Sequence, residues 1–171
     1  MRGLLPETKS HQFYPTPEKI AKYAAELVGD DPSLNILEPS AGTGSLLTYL
    51  TQDKGQIDCV EVADLFTKVL AVKGYNAIKA DFLKWAESNR FRKYDRILMN
   101  PPYSEGRAKE HTVAALELLA PEGEIIAVLP AGYKPAEWIG AEFSCVKSDT
   151  QFDNEFDETG ISVAVFTITR K

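Results

Sequence analysis

Short apolar runs alternate with helical patterns of apolar residues along most of the chain. Apolar runs bounded by polar residues, glycine or proline predict strands. These strands cover residues 34–37, 56–62, 76–80, 95–99 and 125–129. Apolar residues that recur at every third or fourth position between the runs predict helices. The helices cover residues 17–28, 45–52, 64–73 and 82–89, and a further one carries Val113, Ala114, Leu116 and Leu119.

The last part of the chain has a different pattern. Residues 142–147 and 161–169 predict two consecutive strands, joined by the acidic loop 149–160. Such a pair can form an antiparallel hairpin, whereas strands separated by helices form a parallel sheet. The pattern therefore predicts an α/β fold: a mostly parallel seven-stranded sheet with helices on both faces and a C-terminal antiparallel hairpin.

Length and composition favour one domain. The chain has 171 residues, of which 44% are hydrophobic, which is enough for one core and short for two. We expect an N-terminal arm at residues 1–16 and a single domain at residues 17–171. No run of about 18 apolar residues is present, and the N-terminus lacks the apolar segment of a signal peptide. These features predict a cytoplasmic protein without a membrane partner.

Cysteine spacing and charge exclude further classes of site. Cys59 and Cys145 have neither metal nor redox spacing, so we expect no metal. The net charge of −6 opposes the binding of nucleic acid over the whole surface, although a local basic patch is compatible with it.

A glycine-containing loop follows the first predicted strand. Its sequence is Glu38-Pro39-Ser40-Ala41-Gly42-Thr43-Gly44. Glycines let a backbone pass close to a ligand, and a helix after such a loop presents unpaired N–H groups. The third glycine of a dinucleotide fingerprint would fall at Leu47, so the pattern is incomplete for a pyrophosphate binder. The loop alone is weak evidence for a nucleotide.

Acidic residues end the next two predicted strands, and in a parallel sheet they lie at the same edge as the loop. Glu61 can accept hydrogen bonds from both hydroxyls of a ribose. Asp81 can accept from a purine amine while Phe82 packs against the ring. A helix N-cap at Asp81 is an equally simple explanation.

The fourth predicted strand runs into Asn100-Pro101-Pro102-Tyr103. Proline cannot supply the N–H of a strand and restricts the residue before it, so the loop is stiff. A stiff loop suits an amide and an aromatic ring that must be held in place for a substrate. A surface turn and a polyproline ligand remain the alternatives.

The N-terminal arm ends in Phe13-Tyr14-Pro15-Thr16-Pro17. Thr16 suits a helix N-cap and Pro17 the first helical position. The two aromatic residues can cover the core, or they can face a ligand.

Together these motifs resemble the class I S-adenosylmethionine-dependent amino methyltransferases, most closely the DNA adenine-N6 type in its gamma motif order. The resemblance implies a Rossmann-like methyltransferase fold, a catalytic domain at residues 17–171 and S-adenosylmethionine as the cofactor. It also implies a cofactor-binding set, made of Tyr14, Thr16, Pro17, Glu38, Ser40, Gly42, Gly44, Glu61, Asp81, Phe82 and Asn100. Within that set, the resemblance implies that Tyr14, Thr16 and Pro17 bind the methionine end of the cofactor. It also implies that Glu61 binds the ribose, and that Asp81 and Phe82 bind the adenine.

The catalytic set implied by the resemblance is Asn100, Pro101, Pro102 and Tyr103. An exocyclic adenine amine is a poor nucleophile because its lone pair is delocalised into the ring, so no simple deprotonating base is expected. The Asn100 side-chain oxygen and the Pro101 carbonyl can accept the two N–H groups and favour a tetrahedral nitrogen. Tyr103 can stack on a base that is swung out of a duplex.

The substrate side is expected to involve further aromatic and basic residues. The resemblance implies a second aromatic residue near the C-terminal hairpin that closes the other face of the base, and Phe156, with Phe152 behind it, is the candidate. Arg107, Lys109 and His111 can offset the acidic loop 149–160 against a phosphate backbone.

Two features depart from the DNA-modifying pattern. No candidate target-recognition segment follows the last predicted strand, so we expect low sequence specificity or a specificity subunit as partner. The acidic loop also opposes DNA. Three alternatives therefore stay open: a protein-glutamine N5 methyltransferase, an RNA base amino-methyltransferase and a non-catalytic cofactor-binding subunit.

Overall fold

The structure, a computed structural model, describes residues 15–153 and 160–171. Four α-helices and seven strands lie within these residues. The helices are α1 (Glu18–Val28), α2 (Asp64–Val72), α3 (Phe82–Ser88) and α4 (Arg107–Leu116). The strands are β1 (Ile36–Glu38), β2 (Ile57–Glu61), β3 (Asn76–Lys79), β4 (Tyr94–Met99), β5 (Leu119–Pro130), β6 (Phe143–Phe152) and β7 (Val163–Arg170).

The seven strands form one sheet in the order β3-β2-β1-β4-β5-β7-β6. The first five are parallel, and β7 lies between β5 and β6, antiparallel to both. The strand order reverses direction between β1 and β4, which is where ligands bind in folds of this kind. The predicted mostly parallel sheet with a C-terminal antiparallel hairpin is confirmed.

Helices pack on both faces of the sheet, as expected. On one face, the core includes Phe82 and Ala86 of α3 and Ala115 of α4. On the other face, it includes Ile20 of α1 and Leu70 of α2. The central strands are buried on both sides, which explains why their sequences are continuously apolar. None of the described helices is long and apolar enough to cross a membrane.

The helix predicted at residues 45–52 is wrong. The chain forms only a short 3-10 turn, Ser45–Leu47, followed by turns with hydrogen bonds between residues three apart. The Thr48 hydroxyl donates to the Ser45 carbonyl at 2.8 Å, a side-chain bond of the kind that competes with a regular helix. The glycine loop is therefore followed by a single helical turn, and not by the longer helix whose N–H groups were expected to face a ligand.

The C-terminal hairpin and α4 differ from the prediction in their bounds. Residues 149–152 belong to β6 rather than to a loop, because the pairing of β6 with β7 resumes at Gln151 after a register shift. Helix α4 begins at Arg107, ahead of Val113, and it ends at Leu116, so Leu119 begins β5 rather than belonging to this helix. The start of α4 is set by Gly106, which has a φ of 72°, outside the right-handed helical region.

Candidate active site

A cleft opens at the carboxyl ends of β1, β2, β3 and β4. Its volume is about 830 Å³, counting the open mouth. The cleft is lined by eleven of the residues predicted to belong to the site: Thr16, Glu38, Ser40, Gly42, Glu61, Asp81, Phe82, Asn100, Pro102, Arg107 and His111. Parallel strands bring these residues together because their carboxyl ends share one edge of the sheet.

Five more of the predicted site residues are described by the structure but do not line the cleft. They are Pro17, Gly44, Pro101, Tyr103 and Lys109. Lys109 is exposed on α4, and the carbonyl of Pro17 accepts the first hydrogen bonds of α1. Two further predictions, Tyr14 and Phe156, fall outside the described residues.

The glycine loop is tied to Glu61. The Gly42 N–H donates to Glu61 Oε2 at 2.8 Å, and the Ala63 N–H donates to Oε1 at 2.8 Å. Gly42 has a φ of 54°, in the left-handed region that glycine adopts without strain. These bonds fix the carboxylate at the end of β2, and each of its oxygens keeps a further lone pair for a ligand.

Gly44, the second glycine of the loop, has a structural role. Gly44 has a φ of 84°, and a Cβ at this position would lie 3.1 Å from the Tyr75 ring and 3.2 Å from Leu70. The loop therefore packs closely against the end of α2. Gly44 shapes the cleft without lining it.

Glu38 is a buried carboxyl group that lines the cleft. It is 2% exposed, and its Oε1 accepts a bond from the Ser40 N–H at 3.2 Å. Burial raises the pKa of Glu38 to about 8, the charge of Glu61 adds to this, and the Ser40 bond opposes it. A positively charged group in the cleft would stabilise the ionised form of Glu38.

Asn100 is linked to the segment before α1. Its Nδ2 donates to Thr16 Oγ1 at 3.2 Å, and the Thr16 N–H donates to Ser45 Oγ at 2.9 Å. The prediction that Thr16 caps α1 is wrong, because Pro17 occupies the N-cap position and α1 has no side-chain cap. The Thr16 hydroxyl instead accepts from Asn100.

Tyr103 also contacts Asn100. Its hydroxyl donates to Asn100 Oδ1 at 2.8 Å and lies 3.1 Å from the Val128 carbonyl. The ring is half-buried and packs against the apolar clusters on both faces of the sheet. Burial, followed by the neighbouring Tyr133, raises the pKa of the Tyr103 phenol, so the hydroxyl stays protonated.

Asp81 is a helix cap that also faces the cleft. Its Oδ1 accepts from the Lys84 N–H at 3.2 Å at the start of α3. The capping explanation is confirmed, and the role toward a purine stays a prediction. Phe82, the next residue, is 4% exposed and lines the same part of the cleft.

His111 lies inside the cleft wall rather than on an exposed substrate-facing surface. It is 8% exposed, its Nδ1 is 3.2 Å from Ser40 Oγ, and its ring centre is 5.3 Å from that of Phe82. Arg107 is half-buried at the cleft, one turn earlier on α4. Of the three predicted basic residues, only Lys109 is fully on the surface.

Some cleft residues were not predicted. Ser45 Oγ accepts a hydrogen bond from the Thr16 N–H. Val62 and Phe66 line the cleft together with Glu61. Val62 follows Glu61 directly, and Phe66 lies in the first turn of α2. An apolar residue after an acidic strand end, with an aromatic residue in the next helical turn, was the available signal for an apolar contact surface.

No protein-family model and no curated protein matches the chain, but solved structures do. A Pyrococcus horikoshii protein proposed to be an RNA methyltransferase is 20% identical, with a TM-score of 0.65 over 92% of this chain and 87% of that one. The modification subunit of a proposed type I restriction enzyme from Vibrio vulnificus is 17% identical, with a TM-score of 0.69 over 96% of this chain and 46% of that one.

A third solved structure is an O-methyltransferase from Bacillus cereus in complex with SAH, S-adenosylhomocysteine. It is 14% identical, with a TM-score of 0.66 over 92% of this chain and 83% of that one. This chain spans about half the length of the restriction subunit. At these identities the similarity concerns the fold, and the chain has the Rossmann-like fold of the methyltransferases.

Proposed function

We propose that the protein is an S-adenosylmethionine-dependent N-methyltransferase that acts on an exocyclic amine, with N6 of adenine in DNA as the favoured substrate. One observation carries the proposal. Asn100, the first residue of the Asn-Pro-Pro-Tyr loop, lines the same cleft as Gly42 and Glu61. An amide acceptor for a substrate amine thus lies beside residues suited to a nucleoside cofactor.

The chemistry of the cleft fits this cofactor. Glu61 is held by two backbone N–H groups at the end of β2, where a ribose would present its hydroxyls. Asp81 and Phe82 offer an acceptor and an aromatic ring to a purine. Glu38 and Glu61 together favour a ligand that carries positive charge, as a sulfonium and an ammonium group do. When bound, the cofactor supplies an electrophilic methyl group.

The residues of the loop would prepare the amine for attack. Asn100 Oδ1 accepts from Tyr103 and keeps a second lone pair for one N–H of the amine. Pro101 is buried and lies outside the cleft lining, and we propose that its carbonyl accepts the other N–H once the amine is bound. Two acceptors would turn the nitrogen toward a tetrahedral geometry, with its lone pair directed at the methyl group. This stabilisation grows as charge develops on the nitrogen, so it would act in the transition state.

A DNA base would reach this loop only after leaving the duplex, which costs a few kcal/mol. Tyr103 is half-buried and lies outside the cleft lining, and we propose that its exposed part stacks on the base. Stacking on an aromatic residue returns about 1–3 kcal/mol. We propose that Arg107 and Lys109 contact the substrate, and that a partner subunit supplies sequence specificity or the specificity is low.

Two other substrates are favoured by particular observations. An RNA base is favoured by the similarity to the Pyrococcus horikoshii protein, of whose chain 87% is covered. A protein side-chain amide is favoured by Asp149 and Asp153, which are exposed on the C-terminal hairpin and would repel a phosphate backbone.

Transfer of a labelled methyl group from S-adenosylmethionine tests the proposal. Duplex DNA, single-stranded DNA, RNA and protein extract are offered in parallel to the wild-type protein and to Asn100→Ala. Labelling of DNA as N6-methyladenine, lost in the variant, is the expected result. Labelling of RNA alone or of protein alone would show that the substrate is not DNA. Absence of cofactor binding would overturn the enzyme class.

A further inference from the structure

The side chain of His111 joins three segments of the cleft. It belongs to α4, its Nδ1 lies 3.2 Å from Ser40 Oγ in the glycine loop, and its ring is 5.3 Å from the ring of Phe82 at the start of α3. Both of these partners also line the cleft. His111 is therefore a cleft residue, and it is held in place from two sides.

Its surroundings suit a flat aromatic ligand. The rings of His111 and Phe82 are tilted by 48° to each other, and both border the cleft near Asp81. The two rings pack favourably with each other at this distance, and the faces that they turn to the cleft can contact a further ring. The bond to Ser40 fixes the position of the imidazole, so its orientation does not have to be selected when a ligand arrives.

We propose that His111 forms part of the wall that contacts the purine of the cofactor, which makes it a binding residue rather than a contact for the substrate. This inference rests on the proposed function. It assigns the aromatic surface of His111 to the adenine end, where the Asp81 and Phe82 contacts are expected. Because α4 starts directly after the turn that follows Tyr103, the same contact also connects cofactor binding to the position of that turn.

Affinity measurements with three ligands test this assignment. Calorimetry is performed with S-adenosylmethionine, S-adenosylhomocysteine and 5′-methylthioadenosine, which keeps the purine nucleoside and lacks the amino-acid end. His111→Leu fills the same space without a flat ring, whereas His111→Phe keeps a ring without the Ser40 bond. Glu110→Ala, exposed on the same helix, is the control.

We expect His111→Leu to weaken all three ligands by the same factor, about tenfold, and His111→Phe to recover most of the affinity. Glu110→Ala should bind as the wild type does. Both histidine variants fill the site, so the comparison between them separates the ring from a general loss of packing, and thermal melting without ligand shows whether each variant is folded. If His111→Leu alone fails to fold, His111→Phe still tests the inference, because a tenfold loss of affinity for 5′-methylthioadenosine in that variant would overturn the ring contact.

Two results would overturn the inference. One is equal affinity of the wild type and folded His111→Leu for 5′-methylthioadenosine. The other is an unchanged cofactor affinity with a raised KM for the methyl acceptor, which would return His111 to the substrate side. Failure of the wild type to bind any of the three ligands would instead overturn the proposed function, so the two failures are distinguishable.

Discussion

The Tyr103 hydroxyl donates a hydrogen bond of 2.8 Å to Oδ1 of Asn100. The Nδ2 of the same amide donates to Thr16 Oγ1 at 3.2 Å. Both ends of the Asn100 amide are held, so its plane and the direction of its carbonyl oxygen are fixed. An acceptor that is held before the substrate arrives needs little reorganisation during the reaction.

Replacing Asn100 tests the role of this acceptor. We expect Asn100→Ala to lower methyl transfer by about a hundredfold or more, because the lost acceptor is proposed to act on the amine in the transition state. Cofactor affinity should stay within about threefold. Single-turnover transfer and calorimetry measure the two quantities. Asn76→Ala, at an exposed site where β3 begins, is the matched control, and wild-type turnover in Asn100→Ala would contradict the mechanism.

The Tyr103 hydroxyl can be removed without its ring. Tyr103→Phe loses one hydrogen bond to Asn100, worth about 0.5–1.5 kcal/mol, so we expect transfer to fall by up to roughly tenfold. Tyr103→Ala should lose more, since the ring is also proposed to stack on the substrate. Cofactor affinity should be nearly the same in both. Equal activity of Tyr103→Phe and the wild type would mean that the hydroxyl does not position Asn100.

Glu61 is expected to dominate the binding of the ribose. Glu61→Ala should weaken cofactor binding by about 1–3 kcal/mol, because a charge-assisted acceptor is lost and the Gly42 N–H loses its partner. Glu61→Gln keeps one acceptor oxygen, so its cofactor affinity should lie between those of the wild type and Glu61→Ala. Calorimetry with S-adenosylhomocysteine measures the effect, and the exposed Glu87→Ala is the control. Undiminished affinity in Glu61→Ala would remove Glu61 from the site.

Glu38 should make stability depend on pH. Its pKa is about 8 in the folded protein and 4.5 in the reference state, so the folded chain binds the extra proton between these values. Stability without ligand should therefore fall as pH rises from about 5 to 8, by an amount on the order of 3–5 kcal/mol. Urea unfolding at several pH values measures this slope. Glu38→Gln should flatten it, and an unchanged slope in that variant would contradict the assignment.

The glycine loop offers a test of its geometry. Gly44→Ala places a Cβ at a φ of 84°, 3.1 Å from the Tyr75 ring, and should destabilise the fold by roughly 1–3 kcal/mol. Gly29 has a similar φ of 75°, and a Cβ added there would have no atom within 4 Å, so Gly29→Ala isolates the backbone strain. Gly132→Ala has neither problem and should be close to neutral. Thermal melts rank the three, and equal melting of Gly44→Ala and Gly132→Ala would show that the loop tolerates the change.

The chain sequence by itself determined the parallel sheet, the C-terminal hairpin and the edge at which Glu61, Asp81 and Asn100 meet. The reason is that periodicity and strand ends are local properties, and parallel strands place all their carboxyl ends together. The stiff loop after β4 was also readable, because proline restricts its own backbone and that of its predecessor.

Only the tertiary structure decided which polar groups pair. Thr16 and Asn100 are 84 residues apart in the chain, and Ser40 and His111 are 71 apart. Local pattern made Thr16 a helix cap and His111 a surface cation, since each residue suits that role within its own segment. In the folded chain both are buried, and a buried polar group takes whichever partner packing brings within hydrogen-bond distance. The cleft therefore takes its hydrogen-bonded walls from contacts between segments that are far apart in the chain.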